Sequence, residues 1–256
     1  MNRLTINLSK FLYFSLIILL LHSCASPKDI VYFQGVGDYE TKVGENNHSQ
    51  TFKVDDVVSI NVSTLDPQAS MPFNLTKGIN ETGIRAEQLD YIVDKSGNID
   101  FPVIGQVKIA GLTAEKAKEL LKEKLGNYLK NPIINIRLMN FTVTILGEVN
   151  SPGTYPVIGE QITILEALGL ANDLTIKGKR ENILVIRDFD GTKIYHRIDL
   201  TSMESLDSPV FYLTQNDVVY VEPNKSAITS SSLDNRASIW VSIGSLVITS
   251  TVLLLR

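Results

Sequence analysis

Apolar runs at both ends of the chain, residues 11–21 and 238–256, confine any globular fold to the stretch between them. The C-terminal run carries no charge before Arg256. As a helix rising about 1.5 Å per residue it would reach roughly 27 Å, near the thickness of a bilayer core. The sequence therefore predicts a transmembrane helix over 238–256. Ser238, Ser242, Ser245, Thr249 and Arg256 follow one another by four, three, four and seven residues, which keeps them on one helical face. Trp240 falls on the opposite face, where an indole suits a membrane interface, and Arg256 suits the other interface. Two readings of the stripe stay open. Small hydroxyl residues can let anchoring helices pack closely or bond back to their own backbone. Alternatively, Ser238, Ser242, Ser245 and Thr249 line a water-filled pore in a ring of identical helices.

The N-terminal run favours the second reading. Arg3 and Lys10 precede the apolar stretch Phe11 to Leu21, the pattern of a secretion signal over residues 1–23. Leu21-His22-Ser23-Cys24 resembles the bacterial lipobox, which marks Cys24 for lipidation. Cys24 is the single cysteine, so an internal disulfide is excluded. Ala25, where an Asp would favour inner-membrane retention, directs the expectation to the outer membrane. An acylated N-terminus already anchors stably, so a second membrane segment is redundant as an anchor.

Between the two runs the sequence divides into a polar tether (24–50), two mixed modules (51–139 and 140–224) and a linker (225–237). In the first module, Val58, Ile60 and Val62 alternate as in a strand with one buried face. Asp66 to Glu87 has Pro67, Pro72, Gly78 and Gly83 without periodicity and reads as a long loop. Three short strands follow, then a helix capped by Thr113 with Ala114, Ala117, Leu120, Leu121 and Leu125 on one face. Pro132 precedes a further strand. The second module opens with strands around Pro152-Gly153, continues through a short helix whose capping box is Thr163 and Glu166, and closes with three more strands. Hairpin, helix and strands in this order predict a β-grasp-like unit. The expected fold class is α+β: two small mixed modules followed by a C-terminal transmembrane helix.

The ordered set Tyr91-Ile92-Val93, Gly97, Ile99, Phe101-Pro102, Ile104-Gly105, Val107, Ala110-Gly111-Leu112-Thr113, Tyr128 and Pro132 resembles the Wza-type polysaccharide export family. One departure is Val54-Asp55-Asp56-Val57, where that family shows a Pro-Gly-Asp turn. Gly147-Glu148-Val149, Pro152-Gly153, Tyr155, Leu165-Glu166-Ala167 and Asp217-Val218-Val219 resemble the SLBB domain that follows the export domain in the same family. The resemblance implies an outer-membrane lipoprotein, with both modules in the periplasm and the C-terminus at the cell surface. It further implies a homo-oligomeric ring of about eight copies for exporting capsular or extracellular polysaccharide. An inner-membrane polysaccharide co-polymerase, or a chain-length regulator of the tyrosine-kinase type, is the implied partner.

No catalytic residue, metal ligand or cofactor is assigned. Among the 3 His, His22 lies in the signal, His48 in the tether and His196 on a strand, and no nucleophile elbow, phosphate loop or zinc spacing occurs. A net charge of −4 and the lack of a basic cluster exclude a nucleic-acid groove. Two other readings remain open: a lipid-anchored periplasmic glycan-binding module, and an inner-membrane tail-anchored subunit of the same apparatus, which Arg256 favours by the positive-inside rule.

Overall fold

The computed structural model describes residues 30–34, 50–77, 87–189, 191–232, 239, 241–246 and 249–250. Their buried apolar side chains gather into two cores.

In the first, strand β1 (Val57–Ser63) turns Val58, Ile60 and Val62 inward, each almost fully buried. The Asp66 carboxylate accepts from Gln68 N at 3.0 Å and starts a helical turn at Pro67–Ser70, followed by a 3-10 turn at Met71–Phe73. The expected long loop thus contains local structure, and β2 (Thr76–Lys77) in its middle pairs with β3 (Glu87–Gln88) at its C-terminal end. Strand β4 (Tyr91–Ile92) pairs with β1, whereas β5 (Asn98–Phe101) and β6 (Gly105–Lys108) make a separate hairpin. Helix α1 (Ala114–Leu125) is capped by the Thr113 hydroxyl, which accepts from Lys116 N at 3.3 Å. It buries Ala117, Leu121 and Leu125 completely. Strand β7 (Ile133–Leu138) returns antiparallel to β1 and completes a sheet ordered β4-β1-β7.

The second core begins with β8 (Thr142–Gly147) and β9 (Gly153–Pro156), an antiparallel pair. The short strand β10 (Ile162–Thr163) leads into helix α2 (Ile164–Leu170). The capping box is present: Glu166 N donates to the Thr163 hydroxyl at 3.2 Å and Thr163 N to the Glu166 carboxylate at 2.8 Å. Next come β11 (Gly178–Phe189) and β12 (Thr192–Ile198), a hairpin with continuous pairing. Strand β13 (Tyr212–Leu213) pairs with β10, and β14 (Val218–Pro223) closes the sheet. Its order is β12-β11-β14-β8-β9, with β14 parallel to β8. The last strand therefore lies between two hairpins, with α2 against one face, a β-grasp-like arrangement. Gly147 permits the closest approach: its φ is +92°, and a Cβ there would stand 2.0 Å from the Val221 carbonyl oxygen. Helix α3 (Lys225–Ser232) follows β14 directly.

The expected transmembrane helix is corrected. Among the described residues no helix is long and apolar enough to cross a membrane. The polar stripe weakens the run as a span. The described residues form a mixed α+β fold without that element.

Candidate functional site

The two modules meet where two similar turns abut. In Lys53 to Asp56, Asp55 takes a left-handed conformation, φ +68°, and the Asp56 carboxylate accepts from Lys53 N at 2.9 Å. In Thr214 to Asp217, Asn216 takes φ +65° and the Asp217 carboxylate accepts from Thr214 N at 2.8 Å. Both aspartates are buried, and each precedes a Val-Val pair that opens or adjoins its strand, β1 or β14. The Asp-Val-Val repetition in the sequence marks this shared turn. Asp55 stands where the family turn has glycine and adopts the backbone geometry that glycine favours.

Asn140, between β7 and β8, joins the turns. Its side-chain oxygen accepts from Val57 N at 2.9 Å, its amide donates to the Asp55 carbonyl at 3.1 Å, and its own carbonyl accepts from the Gln215 amide at 3.4 Å. Lys53 Nζ reaches the Asp188 carbonyl at 3.3 Å. Gln215 is 3% exposed, and its side-chain oxygen has no partner. Burial raises the Asp56 carboxyl above the ordinary carboxylate range, opposed by the Lys53 backbone bond, the Lys53 charge and the Gln215 side chain.

On the second-module side Arg187 fixes the turn. Its Nε donates to both Asp217 oxygens at 3.0 and 3.1 Å, while Nη2 reaches Asp217 at 2.7 Å and the Tyr212 carbonyl at 2.9 Å. Two half-buried acids of the second module behave oppositely to Asp56. Hydrogen bonds from Lys193 and from Gly191 N hold Asp188 low, and those from Arg197 and Lys179 hold Glu222 low.

A cleft of about 490 Å³ opens beside the junction. Phe52, Ile136 and Phe141 contribute a buried apolar floor, and Glu115, Arg137 and Glu160 an exposed charged rim. An apolar floor with a few polar groups is the chemistry of a small-ligand cleft. Among the described residues no three His, Cys, Asp or Glu side chains are placed to hold a metal ion. His196 sits half-buried on β12 opposite Val185.

Of the lipidation, pore and interface residues expected from sequence, the described ones are not part of this junction. Cys24, Ser238, Trp240 and Arg256 lie outside the described residues. Ser242, Ser245 and Thr249 are exposed; the Ser245 hydroxyl donates to the Ser242 carbonyl at 2.9 Å and the Thr249 hydroxyl to the Ser245 carbonyl at 2.7 Å. These hydroxyls bond back to their own helix. Asn140, Gln215 and Arg187 carry no motif of their own. Two motifs of the sequence fall at the junction, Val54-Asp55-Asp56-Val57 and Asp217-Val218-Val219.

Comparison with known proteins assigns both modules. A family model described as polysaccharide biosynthesis/export protein matches residues 45–139, and an SLBB domain model matches residues 142–221. The EPS I polysaccharide export outer membrane protein EpsA of Ralstonia solanacearum is 26% identical over 141 residues, 54% of this chain and 37% of that protein. Its counterpart in Ralstonia nicotianae is also 26% identical over 141 residues, 54% of this chain and 36% of that protein. The match thus spans little more than a third of the curated relatives' length. With the export model ending where the Asn140 junction begins and the SLBB model starting just beyond it, the chain belongs to the Wza-type polysaccharide export family.

Proposed function

We propose that this protein is a lipid-anchored subunit of a ring in the outer membrane, through which capsular or extracellular polysaccharide leaves the cell. The observation that carries the reading is the joined pair of modules, export domain then SLBB domain, held by Asn140. A passive conduit needs such a scaffold and no reacting groups, so the assignment is to transport and not to an enzyme. Cys24 carries the lipid, the modules stand in the periplasm, and several copies, about eight by family likeness, close the ring. An inner-membrane polysaccharide co-polymerase or tyrosine-kinase-type regulator delivers the polymer from below.

Chromosomal deletion with complementation tests this. Loss of the gene should leave polymer inside the cell, the full chain should restore its release, and Cys24→Ala should fail to incorporate fatty acid. Native mass in detergent should give a multiple of the subunit. Normal polymer release in the deletion strain, or a monomer alone, would overturn the proposal. The cleft between the modules favours a second reading, a glycan-binding role, which saturable binding of released polymer fragments by the monomer would support.

A further inference from the structure

Asp56 and Asp217 occupy equivalent places in the two abutting turns, yet only Asp217 has its charge provided for. Asp217 is fully buried and held by the Arg187 guanidinium, with further bonds from Thr214 N at 2.8 Å and the Thr214 hydroxyl at 3.1 Å. Asp56 is 2% exposed and accepts from Lys53 N at 2.9 Å. Among the described residues no cation pairs with it, and the Lys53 ammonium reaches away to the Asp188 carbonyl at 3.3 Å. An ionised carboxylate in such a place costs much more than a neutral one. A carboxyl O–H in turn needs an acceptor, and Gln215 offers one: its side chain lies against Asp56, and its buried side-chain oxygen has no partner. Asp56 belongs to the export module and Gln215 to the second, so a bond between them crosses the junction.

We propose that Asp56 is a proton-operated latch between the two modules. Protonated, its O–H donates to the Gln215 side-chain oxygen; ionised, with the proton released to water, it leaves a buried charge that the junction opens to hydrate. The surroundings set the direction. Burial raises the Asp56 carboxyl and the neighbouring Asp55 charge adds to this, while the Lys53 backbone bond, the Lys53 charge and the Gln215 side chain oppose it only in part. The other groups around it bring no free charge. Before β4 pairs, the Val93 backbone N–H donates to the Asp56 carbonyl at 2.9 Å; Asn140 is neutral, Asp217 is bound to Arg187, and Asp188 is bound to Lys193. The latch is therefore closed in acid and released as pH rises through the folded value of Asp56, the sign that a raised carboxyl requires. It is a property of one chain and holds whether or not copies close a ring.

Hydrogen exchange in the full chain, purified in detergent, tests this. The reporter is the Val57 amide, which donates to the Asn140 side chain at 2.9 Å in the junction, and the control is the Val185 amide in the middle of β11. With the intrinsic pH dependence of exchange removed, Val57 should lose protection at least about tenfold between about pH 4 and about pH 8, and Val185 should not. Asp56→Asn, which keeps an uncharged group of the same shape, should leave Val57 protected across the whole range. Lys53→Met removes the one cation acting on Asp56 and should move the loss of protection to higher pH in the parent's place. That third arm decides the matter if Asp56→Asn does not fold. Val57 protection that ignores pH in the parent, a pH dependence that survives in Asp56→Asn, or a shift to lower pH in Lys53→Met would each overturn the latch. None of these measurements depends on export, so their failure leaves the transport reading untouched.

Discussion

Asp55 and Asn216 hold the same left-handed backbone, φ +68° and +65°, each one residue before a buried aspartate. A single turn design, in which a carboxylate accepts from the backbone N–H three residues earlier, is used once in each module. Both copies abut at the junction. A side chain with a Cβ is strained there by about 1–2 kcal/mol, less for Asp and Asn than for other residues. Asp55→Gly and Asn216→Gly should therefore keep or raise stability by up to about 1 kcal/mol, and Asp55→Ala should lower it by about 1 kcal/mol. Urea unfolding midpoints decide this; an Asp55→Ala protein as stable as the parent would refute the strain.

Gly147 should tolerate no side chain. A Cβ would meet the Val221 carbonyl oxygen at 2.0 Å and its carbon at 2.9 Å, both backbone atoms in the centre of the sheet. Separating β8 from β14 is the only relief, so Gly147→Ala should cost about 3 kcal/mol or more. Thermal unfolding measures the loss. Gly191, with open space around its Cβ position but φ +80°, is the control and should lose only about 1 kcal/mol.

Breaking the Arg187 and Asp217 pair should also be costly, because Asp217 is fully buried and the Arg187 side chain is 16% exposed. Asp217→Ala leaves a guanidinium facing a lost partner and frees Thr214 N as well, for a loss of about 3–5 kcal/mol. Replacing Lys193, whose pair with Asp188 is exposed on both sides, should change stability by under about 1 kcal/mol. Equal effects of the two substitutions would contradict the role given to burial.

The pH dependence has two signs. Asp56 has a raised folded pKa, so between its unfolded and folded values the folded chain holds more protons, and its contribution falls as pH rises through that window. Glu222 has a lowered folded pKa, so its contribution is present above the ordinary carboxylate range and fades as pH falls through the folded value. Asp56→Asn should raise stability at neutral pH more than in acid. Glu222→Gln should lower it at neutral pH and have less effect in acid. Unfolding curves from pH below the ordinary carboxylate range up to neutral check both, and the opposite ordering for Asp56 would count against its burial as the cause.

Local signals in the sequence were readable because their causes are local. The alternation at Val58, Ile60 and Val62, the Thr113 cap and the Thr163 and Glu166 capping box each involve residues within one turn or one strand. Pairing between distant strands was not readable. Tyr91-Ile92 joins β1 instead of its neighbour in the chain, and strands of two residues such as β2 and β3 are too short to show a period. Residues 30–33 fall in what reads as a polar tether, because their partners, Asp173, Arg180 and Leu200, lie far along the chain. The C-terminal expectation of a spanning helix over 238–256 is not met among the described residues, where no helix is long and apolar enough to cross a membrane, and of the two readings of the stripe the Ser245 and Thr249 hydroxyls follow the one in which they bond back to the helix backbone.

The position of β14 sets the order of events during synthesis. It is the central strand of its sheet and the last to be made, parallel to β8, which is made more than seventy residues earlier. A nascent chain can form the β8–β9 and β11–β12 hairpins as they emerge, but the two stay unjoined until residues 218–223 arrive. Completion of the second module is thus a late, all-or-none step that depends on long-range contacts. A ribosome stalled before Val218 would yield two hairpins with exposed edges, vulnerable to proteolysis and to pairing with other chains.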